Sequence, residues 1–212
     1  MADPVREIPG PVGSLEALLD VPEGPPRAAV VFAHPLPTEG GTMHTKVVFQ
    51  AAKALVRIGC VVLRFNFRGV GLSAGAWDNG RGEVDDYKAA IAFMAVGYPR
   101  LEMWAAGFSF GSYVATTVGA DEDRVCALIA IAPPVHKYEF ASVKMSPKPK
   151  FIIHGERDEL ISLKLVRHFY AQLQEPKELV EIDRANHLFD GQSNEVGDAL
   201  TDLLEDFSCR TQ

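Results

Sequence analysis

Apolar runs of strand length, alternating with apolar residues at helical spacing, predict an α/β fold. The expectation is a mostly parallel central sheet with helices on both faces. Three features carry it. Ala28–Ala33, Cys60–Phe65 and Val125–Ala132 are apolar almost throughout, as strands covered on both sides must be. Between such runs, apolar residues recur every three or four positions, as in Val48, Ala51, Ala52, Leu55 and Ile58. Finally, Met103 to Ser112 joins a short apolar run to Gly107-Phe108-Ser109-Phe110-Gly111, a Gly-x-Ser-x-Gly turn followed by small residues.

The elements follow in order. Met1 to Gly13 is punctuated by Pro and Gly and reads as a lead-in strand or arm. Leu15–Val21 is an edge strand of an opening hairpin, and Pro22–Pro26 is a turn. Ala28–Ala33 is a buried strand that ends at His34-Pro35-Leu36-Pro37, and a Gly-rich loop runs on through Gly40-Gly41-Thr42. A helix spans Val47–Ile58 and stops at Gly59. Cys60–Phe65 is the next strand. Val84, Tyr87, Ile91, Met94, Ala95 and Tyr98 mark a second helix, with Glu83, Asp85 and Asp86 at its positive end.

The strand ending at Phe108 comes next, then a helix of small residues over Ser112–Val118. Small residues suit close packing on a sheet. Val125–Ala132 and Phe151–His154 are strands, and Leu165, Val166, Phe169 and Leu173 mark a helix. Glu178–Ile182 is the last strand, and Val196, Leu200, Leu203, Leu204 and Phe207 mark a closing helix. No repeat or long linker divides the chain, so residues 1–212 are expected to form one domain.

Composition narrows the partners. The chain has 21 Lys and Arg against 28 Asp and Glu, a formal charge of −7, with no basic cluster. Nucleic acid and anionic membrane are therefore poor partners. No apolar run approaches a membrane span, and Met1 to Pro11 lacks the pattern of a signal peptide. Of the three cysteines, Cys60 and Cys126 fall in apolar strands. With Cys209 they read as thiols in a reducing, cytoplasmic compartment, not as a disulfide set or metal site.

In a parallel sheet, ligands bind beyond the carboxyl ends of the strands. Ser109, Asp158 and His187 each lie just past such an end, in the order serine, acid, histidine. A serine hydroxyl is a weak nucleophile at neutral pH and needs a base such as histidine. That base needs a carboxylate to fix its tautomer. Ser109 is thus the candidate nucleophile, His187 the base and then acid, and Asp158 the orienting acid. Glu156, Glu159 and Asp183 are rivals for the last role. An anionic tetrahedral intermediate needs two N–H donors. The amide after the nucleophile, Phe110, supplies one. Pro35 has no N–H, so Leu36 is the candidate for the other. Phe108, Phe110 and Leu36, with Tyr138 or Phe140, are candidate substrate-lining residues.

His34-Pro35-Leu36, Gly107-Phe108-Ser109-Phe110-Gly111, Gly155-Glu156-Arg157-Asp158 and Asn186-His187 together resemble the α/β-hydrolase superfamily over nearly the whole chain. With Arg64-Phe65-Asn66-Phe67-Arg68-Gly69-Val70-Gly71-Leu72-Ser73, the chain is most similar to compact, cap-less serine hydrolases of the dienelactone-hydrolase type. Dienelactone hydrolases proper use a cysteine where this chain has Ser109. The resemblance favours Asp158 among the acids and gives His34 a bracing role in the oxyanion loop. It implies a carboxylesterase-type serine hydrolase of small-molecule esters, with no cofactor or metal. Thioester or lactone cleavage is the near alternative, a ligand binder with an idle triad the distant one, and a peptidase ranks lower still.

The remaining motifs read as structure. Gly69-Val70-Gly71-Leu72-Ser73-Ala74 matches a dinucleotide fingerprint formally, but no helix begins within it. It is expected to be a tight loop near the site, with Arg68 bridging backbone carbonyls. His154 reads as a hydrogen-bonded structural residue and His168 as a surface one; His44 and His136 lie in loops that rim the site. Pro133 to Lys150, with Pro147 and Pro149, is long enough for a flap but not for a cap. The sequence leaves the oligomeric state open, a homodimer included.

Overall fold

The computed structural model describes residues 6–209. Eight strands form one sheet: β1 (Glu7–Gly10), β2 (Gly13–Asp20), β3 (Ala28–Ala33), β4 (Cys60–Phe65), β5 (Glu102–Phe108), β6 (Val125–Ile131), β7 (Lys150–Gly155) and β8 (Lys177–Ile182). Their spatial order is β1-β2-β4-β3-β5-β6-β7-β8. The β1–β2 hairpin joins β4 antiparallel, and every pairing from β4 through to β8 is parallel. β3, β4 and β7 are buried at every residue, which explains why apolar side chains dominate them; Arg64, Lys150 and His154 are the buried polar exceptions. The edge strand β8 is mostly half-exposed, and there Lys177, Glu178 and Glu181 interrupt the apolar pattern.

Six helices cover the two faces. One face is packed by α2 (Arg81–Gly97), α3 (Phe110–Asp121), α4 (Ala141–Met145) and α5 (Leu163–Gln172) through Tyr87, Met94, Val114, Val143 and Val166. The other is packed by α1 (Lys46–Arg57) and α6 (Ser193–Leu204) through Val48, Leu55, Val196 and Leu200. From β3 the chain passes to β4 on one side and then crosses to β5 on the other. The crevice between the ends of β3 and β5 is therefore the place where strand order reverses, the usual ligand position in such sheets. The connection from Pro133 to β7 holds only the five-residue α4, which packs on α3, so no cap covers that crevice.

Two expectations are corrected. Arg68 does not bridge backbone carbonyls. Its guanidinium forks onto Asp86, with Nη2 to Oδ1 at 2.8 Å, and both residues are buried. Its own amide also donates to Asp86. A Cβ on Gly82 would lie 1.9 Å from the guanidinium, so the glycine makes room for the pair. The loop after it leans on the hairpin, where Ala74 N–H donates to Ser14 O. Trp77, at its exit, reaches Phe110.

The second correction concerns the cysteines. Cys126 and Cys209 form a disulfide, with Cα atoms 6.2 Å apart across a sequence separation of 83. That separation hides the pair from any spacing rule. The bond removes the compositional argument for a reducing compartment. It fastens the segment after α6 across the start of the sheet. There Phe207 packs between Trp104 and Phe151, Arg27 donates to the carbonyls of Leu204, Glu205 and Phe207, and Glu102 accepts from Cys209 N–H. Cys60 remains a buried free thiol, its pKa pushed up to about 12 by burial. No helix among the described residues is long and apolar enough to cross a membrane.

A cross-link over so long a loop restricts the unfolded chain strongly. Reducing the disulfide, or the Cys209→Ser change, should lower unfolding free energy by about 2–4 kcal/mol. Urea titrations with and without reductant check this, and identical midpoints would refute it.

Candidate active site

The turn between β5 and α3 is held by close packing. A Cβ on Gly107 would lie 2.3 Å from the carbonyl of Gly111, and one on Gly111 would lie 2.4 Å from the carbonyl oxygens of Ala33 and His34. Only glycines allow the helix to fold back so tightly and to press on the end of β3. Ser109, between them, is forced to φ 51° and ψ −123°, a region that L-residues avoid. Its N–H donates to Ile131 O at 2.8 Å, and its carbonyl accepts from the amide and hydroxyl of Ser112. The amides of Phe110 and Gly111, ahead of that bond, have no helix carbonyl behind them and form the positive end of α3.

Three residues meet there. His187 Nε2 lies 3.0 Å from Ser109 Oγ, and His187 Nδ1 lies 2.7 Å from Asp158 Oδ2. With Asp158 ionised, Nδ1 carries the proton and Nε2 presents its lone pair to the hydroxyl. The other carboxylate oxygen, Oδ1, accepts from Leu160 N–H at 2.9 Å and Ile161 N–H at 2.7 Å. Burial alone would raise the pKa of Asp158. The hydrogen bond and charge of His187 and the Ile161 amide outweigh it and hold the carboxyl below its ordinary range. The rival acids are engaged elsewhere: Glu156 accepts from Arg184 N–H, Asp183 pairs with Arg184, and Glu159 accepts from His187 N–H.

The loop after β3 faces this group. His34 is fully buried, with Nδ1 donating to Pro35 O at 2.7 Å and Nε2 accepting from Phe67 N–H at 3.0 Å. Burial lowers its pKa to about 4 against the opposing pull of the Pro35 carbonyl, so it is neutral. Since the peptide is planar and trans, turning the Pro35 carbonyl toward His34 sends the Leu36 N–H the opposite way. Leu36 O accepts from Glu39 and Gly41 N–H, which locks the turn.

The substrate-lining residues need correction. Phe108 is fully buried; it packs beneath the His187 ring at 5.5 Å and against Phe189 at 6.2 Å, supporting the imidazole from below. Phe110 is 2% exposed, enclosed by Phe67, Trp77, Tyr113 and Tyr138. Phe140 is buried too, whereas Leu36 and Tyr138 are half-buried and remain available. His44, His136 and His168 are exposed. Among the described residues one trio has metal-binding side chains close together, Glu102, Cys126 and Cys209, but its sulfurs are bonded to each other.

Residues 24–148 match the model of the family described as serine aminopeptidase, S33. The chain belongs to this family of α/β hydrolases. Ser109 falls within the matched region, and Asp158 and His187 lie beyond it. Solved structures cover more. The chain is 40% identical to an α/β serine hydrolase homologue from Coxiella burnetii, with a TM-score of 0.91 over 96% of this chain and 98% of that one. It is 37% identical to a serine hydrolase without lid from Xanthomonas campestris, with a TM-score of 0.86 over 92% and 90%. An uncharacterized protein from Rickettsia prowazekii is 35% identical over 92% of this chain and 86% of its own length.

Gly111→Ala should cost about 1–3 kcal/mol, because the added methyl meets backbone that cannot yield; a thermal melt unchanged from the parent would contradict the packing argument. Acid should also weaken the fold before Asp158 is protonated. Buried neutral His34 and His154 have depressed pKa values, so the unfolded chain takes up protons first. Their contribution is full above the ordinary value of 6.5 and is lost as pH falls below it. His34 alone accounts for about 3 kcal/mol by pH 4. Urea titrations across that window measure the slope, and a flat profile would count against neutral, buried rings.

Proposed function

We propose that the protein is a serine esterase that cleaves small acyl esters through an acyl-serine intermediate. The observation that carries this reading is the unbroken hydrogen-bonded chain Ser109 Oγ, His187, Asp158 at the strained turn. Ser109 Oγ attacks the ester carbonyl carbon while His187 Nε2 takes the hydroxyl proton. Asp158 fixes the ring and stabilises the imidazolium. The oxyanion that forms is held by the N–H groups of Phe110 and Leu36. His187 returns the proton to the departing alcohol, and water then repeats the sequence on the acyl-serine.

The absence of a cap over the crevice and the partial exposure of Ser109 favour small or exposed acyl groups. Thioesters and lactones present the same electrophile and remain within reach of this chemistry. The family's name raises an aminopeptidase as a second reading. Holding a free α-ammonium would require an available carboxylate beside Ser109. Glu83 is fully buried with its oxygens on the amides of Asp78 and Gly80, and Glu159 is on the amide of His187. Esters are therefore the better substrate class.

Ser109→Ala should reduce turnover of short p-nitrophenyl esters by on the order of 10⁴-fold or more. A fluorophosphonate should label the parent stoichiometrically and leave that variant unlabelled. A folded parent that resists labelling would instead indicate a ligand binder with an idle hydroxyl. Comparing kcat/KM for esters, thioesters, lactones and aminoacyl anilides then ranks the leaving groups.

A further inference from the structure

A second imidazole lies against Asp158. His154, on β7, is fully buried, and its Nε2 is 2.8 Å from Ile161 O and 3.7 Å from Asp158 Oδ2. A carbonyl accepts only, so Nε2 carries the proton and Nδ1 is a bare acceptor. That Nδ1 is buried and has no hydrogen-bond partner among the described residues. Leaving a buried acceptor unpaired costs about 1–3 kcal/mol, so the ring is a poor choice for stability alone. An apolar side chain of similar size would avoid that cost.

What the ring does instead is hold Ile161. The same residue whose carbonyl accepts from His154 donates its N–H to Asp158 Oδ1, beside that of Leu160. This turn therefore fixes the carboxylate, with Oδ1 bound to two amides and Oδ2 left for His187. The charged and titratable groups facing His154 are Asp158 on its own loop, His187 on the loop after β8, and Glu181 across the β7–β8 pair. Glu181 is held by Arg167 at 2.6 Å. Burial lowers the pKa of His154 despite the Ile161 carbonyl and Asp158, which keeps the ring neutral next to a carboxylate it would otherwise capture from His187.

The geometry points to His154 as a positioning residue of the reaction: its Nε2–H holds the Ile161 carbonyl and so sets the Asp158 turn, and the carboxylate meets His187 in one orientation. This rests on the reading of Ser109, His187 and Asp158 as the reacting chain. Loss of the donor lets the turn relax, and the carboxylate then meets His187 in more than one orientation and holds its imidazolium less firmly.

Glutamine and asparagine separate this from a packing role. The amide nitrogen of glutamine reaches about as far as Nε2, whereas that of asparagine reaches only as far as Nδ1. His154→Asn and His154→Leu should each lower kcat for p-nitrophenyl acetate about tenfold with little change in KM. In both, the acid limb of the kcat/KM profile should move to lower pH, and fluorophosphonate labelling should slow in parallel. His154→Gln should restore rate, profile and labelling. Thermal melts of all three establish that they fold. Should the leucine variant fail to fold, the asparagine and glutamine pair decides. Folded asparagine or leucine variants with the parent's rate and pH profile would overturn the inference, as would a glutamine variant no better than asparagine. If Ser109→Ala itself retained turnover, the reading of the site would fail first. An inactive Ser109→Ala beside a fully active His154→Asn would sink this inference alone.

Discussion

The approach of α3 to the ends of β3 and β5 is the contact on which the site depends. A helix cannot normally begin one residue after a buried strand and fold back over it, because side chains at the junction would collide. Here the two positions that would collide, Gly107 and Gly111, have no Cβ, and the residue between them takes up the strain. A serine at positive φ is unfavourable by about 1–3 kcal/mol. Central position in a sheet buried on both faces keeps it there. The same compression brings the unpaired N–H groups of α3 beside the loop that follows β3. The exposure of Ser109 and the free amides beside it are thus one packing event seen from two sides.

Around this junction, buried charge is used to fix loops. Arg68 and Asp86 form a desolvated pair between the end of β4 and α2, and Glu83 gathers the amides of Asp78 and Gly80. These contacts set the chain that carries Trp77 onto Phe110. A buried pair of this kind adds little net stability against an apolar replacement, but it breaks at a cost of several kcal/mol and admits one geometry. Restricting geometry is what a loop packed against the Ser109 turn requires.

The sheet and the order serine, acid, histidine were legible because both follow from local pattern. Continuous apolar runs mark strands covered twice, and polar residues directly after them must gather at one edge. The glycines of the turn were legible for the same reason, since a short motif states its own steric need. What could not be read were partners far apart in sequence. Cys126 and Cys209 carry no spacing signal, and Arg68 finds Asp86 only once α2 is laid on the sheet. Phe108 was misplaced because alternation along β5 does not say which side of the strand the His187 loop will cover. His154 was legible as structural, but its tie to Asp158 runs through a carbonyl of the next turn.

Three buried histidines crowd this end of the sheet, and their partners separate their roles. His34 gives its proton to the carbonyl of Pro35 and accepts from the amide of Phe67. His154 gives its proton to the carbonyl of Ile161. A carbonyl partner carries no net charge, so neither ring gains enough to offset the desolvation of an imidazolium, and both stay neutral. His187 alone directs its proton to a carboxylate within hydrogen-bonding distance, and its other nitrogen reaches a hydroxyl. Taking a second proton there makes an ion pair, not an isolated buried cation. A base must be able to hold the proton it removes, and a brace must not. Burial is common to all three rings, so it is the carboxylate that suits His187 to the role of base proposed for it.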